Sequence, residues 1–570
     1  MIPIPYHSVP DSEPHSQAPD SSGPLRRRGK YYFRLPLIDR AIRVDEAALL
    51  ILLGALVGVF TGFVTVGYRL AVHYGNSLLI EDVTQAADGG RLWLTLLGRL
   101  LLPAAGALAV GLALQRLHKP SALTGVPAIL RSLQTGEISL PPSMAAGSAA
   151  SVIILATGGS AGPEGPIVEI GSVMGAQAGH GLRLPPRVLR TLIASGVAAG
   201  IASVFNSPLG GVFFALEVIM QEYALAAFAP ILMAAVLSSM VTQACIGAIP
   251  AIEATQAIKS MSSGLAEMPL FCLLGGLMGG LSILFIQSVD RVGMTWSRLK
   301  APAWAKPALG GLCVGAIGVV MPDVMGEGYL FVNQALNPQA SLNPLSLLIG
   351  QPSAGWIPLL LLLVALMKIV ATSLTLGSGS PGGSFAPGVF VGGAAGMAVG
   401  WLVHLIWPSV NPLPYGVMGI AGMISGMFNA PFTAIMIVLR LTEGNYLILL
   451  PVMATVAMSI FTMRRWRNVS IYTWTLQKLG LPWGHEETRD PLLGLTVGQV
   501  CAREFLAMEA AQTVSQALDA LRNTDHSVVA VRGEGGRCLG LVSLSDLRLA
   551  FQDREVSHLL TLGDLINPEA

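Results

Sequence analysis

The residues with the clearest chemistry form a glycine-rich loop, Gly158-Gly159-Ser160-Ala161-Gly162-Pro163-Glu164-Gly165-Pro166, which carries one carboxylate and runs straight into an apolar, glycine-spaced segment. Pro166 suits the first turn of a helix, where its missing N–H costs nothing. A helix starting here aims several free backbone N–H groups, and the positive end of its dipole, at one point. That geometry binds anions. A lone glutamate in such surroundings acts as a competing anion or as a first-turn acid of purely structural value. Irregular backbone between apolar segments survives in lipid only where protein or a water-filled cavity surrounds it.

The elements that must hold this loop are hydrophobic. Of 570 residues only 12% are charged, about half the share in a typical soluble protein. Mean hydropathy is +0.63. Many apolar runs near membrane-spanning length, with 65 glycines to let helices approach and break, predict a polytopic helical membrane protein. A net charge of +1 suggests no nucleic-acid partner. The five cysteines, Cys245, Cys272, Cys313, Cys501 and Cys538, lack CxxC spacing and read as packing residues, without metal or disulfide roles. No cleavable signal peptide is visible.

Along the chain, residues 1–44 read as a disordered, basic N-terminus, with Arg26, Arg27, Arg28 and Lys30 among its charges. Arg464, Arg465 and Arg467 follow the last apolar run. By the positive-inside rule both ends are cytoplasmic. Between them residues 190–220 and 415–441 read as single apolar runs. Several others are too short or too glycine-broken to span straight, so tilted and re-entrant helices are expected.

The chain also repeats itself. Gly162-x-Glu164-x-Pro166, continuing to Gly171 and Gly175, is answered by Gly383-x-Phe385-x-Pro387, Gly392 and Gly396 with identical spacing. Phe205-Asn206-Ser207-Pro208 is answered by Phe428-Asn429-Ala430-Pro431, and Gly196 by Gly419. Two related halves whose broken helices meet at mid-membrane are a common way to build a transport site. After residue 478, a linker over 479–492 leads to a soluble module. There, 514–521 reads as helix, 527–531 and 539–542 as strands, and 543–551 as a helix opened by Ser543 and Asp546.

These motifs resemble the signatures of the CLC family of chloride channels and proton-coupled chloride transporters. Gly162-Pro163-Glu164-Gly165-Pro166 is similar to its G-[RK]-E-G-P, and Gly383-Ser384-Phe385-Ala386-Pro387 to its G-x-F-x-P. Phe205-Asn206-Ser207-Pro208-Leu209-Gly210-Gly211 and Gly326-Glu327-Gly328-Tyr329 follow family stretches in the expected order. The resemblance covers 45–478 and implies an all-α polytopic membrane protein of two related halves, with broken and re-entrant helices. The tail over 493–570 resembles a single CBS motif, a small cytoplasmic α/β unit, with Leu562-Gly563-Asp564-Leu565 opening a second motif that does not complete.

Carried over residue by residue, the resemblance makes Glu164 the gate, an anion mimic in the path. Gly162, Gly165, Ser384, Phe385 and Ala386 would frame the anion with backbone N–H groups. Thr124-Gly125-Val126-Pro127 stands where the family has S-G-I-P, so Thr124 would supply a hydroxyl and Gly125 an amide, although Leu123 replaces the motif's first glycine. Tyr472 would bring a second hydroxyl from the inner side. The anion would then meet amides and hydroxyls, with no full positive charge to trap it. Asp290 and Glu327 read as loop or helix-end residues.

The resemblance implies chloride transport by a homodimer in a bacterial plasma membrane. Exchangers usually carry a proton-relay glutamate at the position held here by Val218, after the retained Glu217. Valine carries no proton, so the reading leans to a passive, gated chloride channel, with chloride/proton antiport as the alternative. A fluoride exporter is disfavoured by the Pro166 ending and by the lack of a methionine-type first motif. An enzyme is disfavoured because no nucleophile–base pair, metal cluster or phosphate loop is visible. No cofactor is implied for transport. In the tail, Ser543 and Asp546 match the [ST]-x-x-D ending whose acid contacts an adenosine ribose in ligand-binding versions; an adenine nucleotide and a tail without ligand both stay open.

Overall fold

The computed structural model describes residues 25–27, 30–34, 41–81, 92–117, 125–135, 140–247, 265–336, 354–467, 469–481, 505–522, 526–551 and 559–566, with 252, 496, 498 and 524 as single positions. Thr124 and most of the linker 479–492 lie outside them. The chain divides into two units, residues 1–481 and 482–570.

The first unit is helical. In chain order its helices are α1 (Glu46–Asn76), α2 (Leu92–Leu117), α3 (Val126–Thr135), α4 (Pro142–Ala156), α5 (Glu164–Gly181), α6 (Pro186–Phe205), α7 (Pro208–Phe214) and α8 (Leu225–Ile246). Then come α9 (Met268–Arg298), α10 (Ala305–Val320), α11 (Tyr329–Ala335), α12 (Ile357–Gly377), α13 (Phe385–Ile406), α14 (Leu413–Phe428), α15 (Pro431–Leu441), α16 (Leu449–Trp466) and α17 (Ile471–Lys478). Eight described segments are long and apolar enough to cross a membrane. Their burial fits that setting. On α1, Leu52, Leu56, Phe60 and Phe63 are exposed along one face, while Leu53, Val57 and Thr61 are buried on the other. In water this arrangement would be costly; against lipid it is favourable. By contrast α6 is almost entirely enclosed by protein.

Two corrections to the sequence reading concern local structure. Residues 25–45 are not wholly unstructured. Leu25–Arg27, Lys30–Arg34 and Ala41–Asp45 form a three-stranded antiparallel sheet (β1 to β3). Tyr31, Tyr32, Phe33, Ile42 and Val44 supply the aromatic and β-branched content that favours strands. The runs at 190–220 and 415–441 are each two helices. Asn206 and Asn429 take left-handed backbone, with φ of 51° and 53°, and end α6 and α14. Asparagine tolerates that conformation, and Pro208 and Pro431 then open α7 and α15.

These matched breaks show that the repeat is structural. α5, α6 and α7 correspond to α13, α14 and α15. The first two helices of each set cross at glycines. A Cβ on Gly196 would lie 1.9 Å from the Gly171 carbonyl oxygen, and one on Gly419 2.1 Å from that of Gly392. Neither crossing admits a side chain. α7 and α15 pack against each other, and the Arg440 Nε of α15 donates to the Asn206 carbonyl at 2.8 Å, satisfying the broken end of the other half.

The second unit is a small α/β module. Strands β4 (Leu506–Glu509), β5 (Val528–Arg532) and β6 (Cys538–Ser543) form one sheet in that order, parallel then antiparallel. α18 (Val514–Arg522) and α19 (Leu544–Phe551) complete it. Val514, Leu521, Val529, Val531, Val542, Leu547 and Leu562 form its core.

Candidate anion site

The two motif loops are joined by a short antiparallel bridge. Gly162 N–H donates to the Gly383 carbonyl, and Gly383 N–H to that of Gly162, both at 2.7 Å. The approach excludes side chains. A Cβ on Gly383 would fall 2.7 Å from the Gly165 nitrogen, and one on Gly165 3.0 Å from the Gly383 Cα. The N-termini of α5 and α13 are thereby held side by side.

Glu164, the first residue of α5, is 1% exposed. Its Oε2 accepts from the Ala386 N–H of α13 at 3.3 Å, and the Tyr329 hydroxyl of α11 donates to its Oε1. A carboxylate oxygen thus occupies an amide that would otherwise be offered to a small anion. Beside it, Phe385 lies in an aromatic cluster with Phe205, Phe214 and Phe428, the last stacked at 4.8 Å between centroids. Tyr472 continues the stack at 5.3 Å from Phe428 and hydrogen-bonds through its hydroxyl to the Ser384 side chain. Glu164, Gly162, Gly165, Ser384, Phe385, Ala386 and Tyr472 therefore come together. Gly125 opens α3 and lies against the carboxyl group of Glu169, which the Ser148 hydroxyl also contacts.

Glu217 has a different task. Ser207 caps α7 through its side chain, accepting from Gly210 N–H at 3.2 Å. In the second half that position is Ala430, which cannot cap. Glu217 reaches across and accepts from Phe432 N–H and Thr433 N–H, each at 2.9 Å, and from the Thr433 hydroxyl at 2.6 Å. Val218 is buried beside it.

A buried cation stands beside the turn that precedes Tyr329. Lys368 of α12 is completely buried, donates to the Val324 and Gly326 carbonyls at 3.0 and 2.8 Å, and lies 4.9 Å over the Phe390 ring. Its neighbours include Asp323 and Glu327, and Glu327 also faces Arg69. One lysine in an apolar helix gives little sequence signal, because the turn that neutralises it lies some 40 residues away. Tyr329 was visible only as part of the Gly326-Glu327-Gly328-Tyr329 stretch; its contact with Glu164 depends on a chain reversal no spacing reveals. Glu327 lies in a turn, as expected, but Asp290 does not stand at a helix end: it lies within α9, two turns before its last residue, and pairs with Lys478.

In the tail, Ser543 N–H and Oγ both donate to Asp546 Oδ2, at 3.0 and 2.6 Å, and Asp546 N–H donates back to Ser543 Oγ at 3.3 Å. This reciprocal cap holds the Asp546 carboxyl below its usual range, through the Ser543 side-chain bond first. Thr561 and Asp564 form the same kind of cap, and Leu562 N–H ties that turn to the Gln512 carbonyl.

Comparison with known proteins agrees with this geometry. The family model described as voltage gated chloride channel matches residues 106–464. A putative chloride channel protein, ClcB-like, of Ralstonia nicotianae is 31% identical over 388 residues, covering 67% of this chain and 86% of that protein. The H(+)/Cl(-) exchange transporter ClcA of Salmonella arizonae is 31% identical over 448 residues, covering 75% of this chain and 87% of that protein. Chloride channel protein CLC-e of Arabidopsis thaliana is 31% identical over 469 residues, but the match spans only 63% of its length. A solved slow cyanobacterial Cl-/H+ antiporter superposes with a TM-score of 0.65 at 23% identity, covering 75% of this chain and 97% of its own. The chain belongs to the CLC family and is an integral, multi-pass membrane protein.

Proposed function

We propose that this protein moves chloride across the membrane through the region between the N-termini of α5 and α13, in exchange for protons, with Glu164 as gate and proton carrier. The observation that carries the reading is the Glu164 carboxylate on the Ala386 amide, where a chloride would otherwise bind. Protonation cancels the charge that competes with chloride for that donor, so acid opens the path. Coupling to protons is supported by the relatives named H(+)/Cl(-) exchange transporter, of which this chain covers most of the length. A passive chloride channel is the second reading. It is favoured by Val218, which stands where exchangers carry a relay glutamate, and by the engagement of Glu217 as a helix cap.

Purified protein in liposomes under an imposed chloride gradient separates the two. Exchange drives protons uphill against a measured pH difference; a channel carries chloride and leaves the proton gradient alone. Glu164→Gln is expected to abolish proton movement, to keep chloride flux and to remove its pH dependence. Unchanged flux with an unchanged pH profile in that variant refutes the gate. Two further assignments belong to this proposal. Assembly as a homodimer rests on family resemblance. Cytoplasmic placement of both termini rests on the flanking arginine clusters and the positive-inside rule, and a bacterial plasma membrane on the compact loops and the single CBS-like motif. An adenine nucleotide at Ser543 and Asp546 would have to compete with the cap those residues make with each other.

A further inference from the structure

The turn before α11 is tied at two points that neither chloride nor protons require. Lys368 Nζ holds it through the Val324 and Gly326 carbonyls while lying over Phe390. On its other side Gly326 N–H donates to the Gly158 carbonyl at 3.2 Å, which joins the turn to the loop that carries Glu164. Gly328 closes the turn with φ of 86°, and a Cβ there would strike Phe390 at 2.4 Å. Tyr329 follows at once. Its ring stands edge-on to Phe205 at 6.5 Å, and its hydroxyl donates to Glu164 Oε1.

Tyr329 and Ala386 thus hold one oxygen each of the carboxyl, to which the Glu164 backbone N–H also donates. Ala386 N–H, on one oxygen, is the donor an anion would claim. Tyr329, on the other, is not claimed by the anion in this arrangement; it only holds the acid where it is. We propose that Tyr329 is a latch that keeps Glu164 in the anion path, and that Lys368 sets the latch by fixing its turn. The inference rests on reading Glu164 as the gate.

The groups facing Glu164 are the hydroxyls of Tyr68, Tyr329 and Tyr472 and the carboxyl of Glu327. Behind Glu327 stand Arg69 and Lys368, and Asp323 faces Lys368 and Arg99. Among the described groups only Tyr329 donates a side-chain hydrogen bond to the Glu164 carboxyl. Its hydroxyl is therefore the side-chain donor whose removal frees the gate without altering the charge around it.

The test is chloride efflux from liposomes over a range of pH for wild type, Tyr329→Phe, Lys368→Met, Glu164→Gln and the Tyr329→Phe/Glu164→Gln pair. Tyr329→Phe keeps the ring against Phe205. It is expected to raise flux at neutral pH roughly tenfold, the scale of one hydrogen bond to a charged acceptor, and to carry flux to more alkaline pH. Lys368→Met should move the profile the same way. The double variant should match Glu164→Gln alone, because the latch acts only through the carboxyl. A Tyr329→Phe profile identical to wild type, or an effect that persists in full on the Glu164→Gln background, overturns the latch. If Glu164→Gln itself is silent, the gate fails and the latch with it; if Glu164→Gln acts and Tyr329→Phe does not, the latch alone falls.

Discussion

Adding one methyl group at Gly383 tests whether the two loops must touch. A Cβ there would lie 2.7 Å from the Gly165 nitrogen and 2.9 Å from the Gly162 carbonyl oxygen, where ordinary contact begins at 3.4 Å. Both neighbours are backbone, so neither can swing aside. The loops must separate by about 0.7 Å. That takes the paired Gly162–Gly383 bonds from 2.7 Å to the edge of hydrogen bonding. Overpacking of this kind costs about 1–3 kcal/mol, and two weakened backbone bonds add about 1–3 kcal/mol. Gly383→Ala is therefore expected to destabilise the protein by roughly 2–6 kcal/mol. It also withdraws the Ala386 amide from Glu164, so the gate loses its seat and chloride flux loses its pH dependence. Gly280 is the control. It lies within α9, and a Cβ there meets nothing within 4 Å, so Gly280→Ala should be neutral or stabilising by up to about 1 kcal/mol. Thermal unfolding in detergent and chloride efflux from liposomes read both quantities. A Gly383→Ala protein with the melting temperature and the pH profile of Gly280→Ala would refute a shared site built on contact between the loops.

Other substitutions separate structure from transport. Glu217→Ala removes the acceptor for two α15 amides and one hydroxyl and should cost about 1.5–3 kcal/mol of stability, while Glu217→Gln restores part of it; equal melting temperatures for all three would show that the cap is not needed. In the tail, the folded Asp546 carboxyl titrates below its unfolded value, so its cap is fully present above about pH 4 and is lost as pH falls through the lower folded value. Hydrogen exchange in the full chain should show the first turn of α19 opening in that acid range, and opening at neutral pH in Asp546→Ala; protection independent of both would sink the assignment.

Much of this protein follows from local sequence, and the reason is physical. A bilayer demands apolar helices whose backbone groups are satisfied within each segment, so hydropathy reports the spanning elements directly. Glycine spacing and asparagine–proline breaks are backbone requirements, so the repeat that carries them could be read as structure before any coordinate, from Gly162 and Gly383 to Asn206 and Asn429. The same holds for the tail, where Ser543 and Asp546 cap a helix within three residues. What the sequence left open depends on side chains that meet only after the chain folds. Residues 190–220 and 415–441 read as continuous because hydropathy does not register a single left-handed residue. The task of Glu217 was not legible, because the uncapped helix it serves begins more than 200 residues later, after Ala430. Lys368, Glu327 and Arg69 come from three separate segments, so only the tertiary structure could show that both cations face Glu327. The same is true of the tyrosine on Glu164. Motif spacing marked the two glycine-rich helix starts, whereas the partners that hold the acid of the first in place were decided by packing across the two halves.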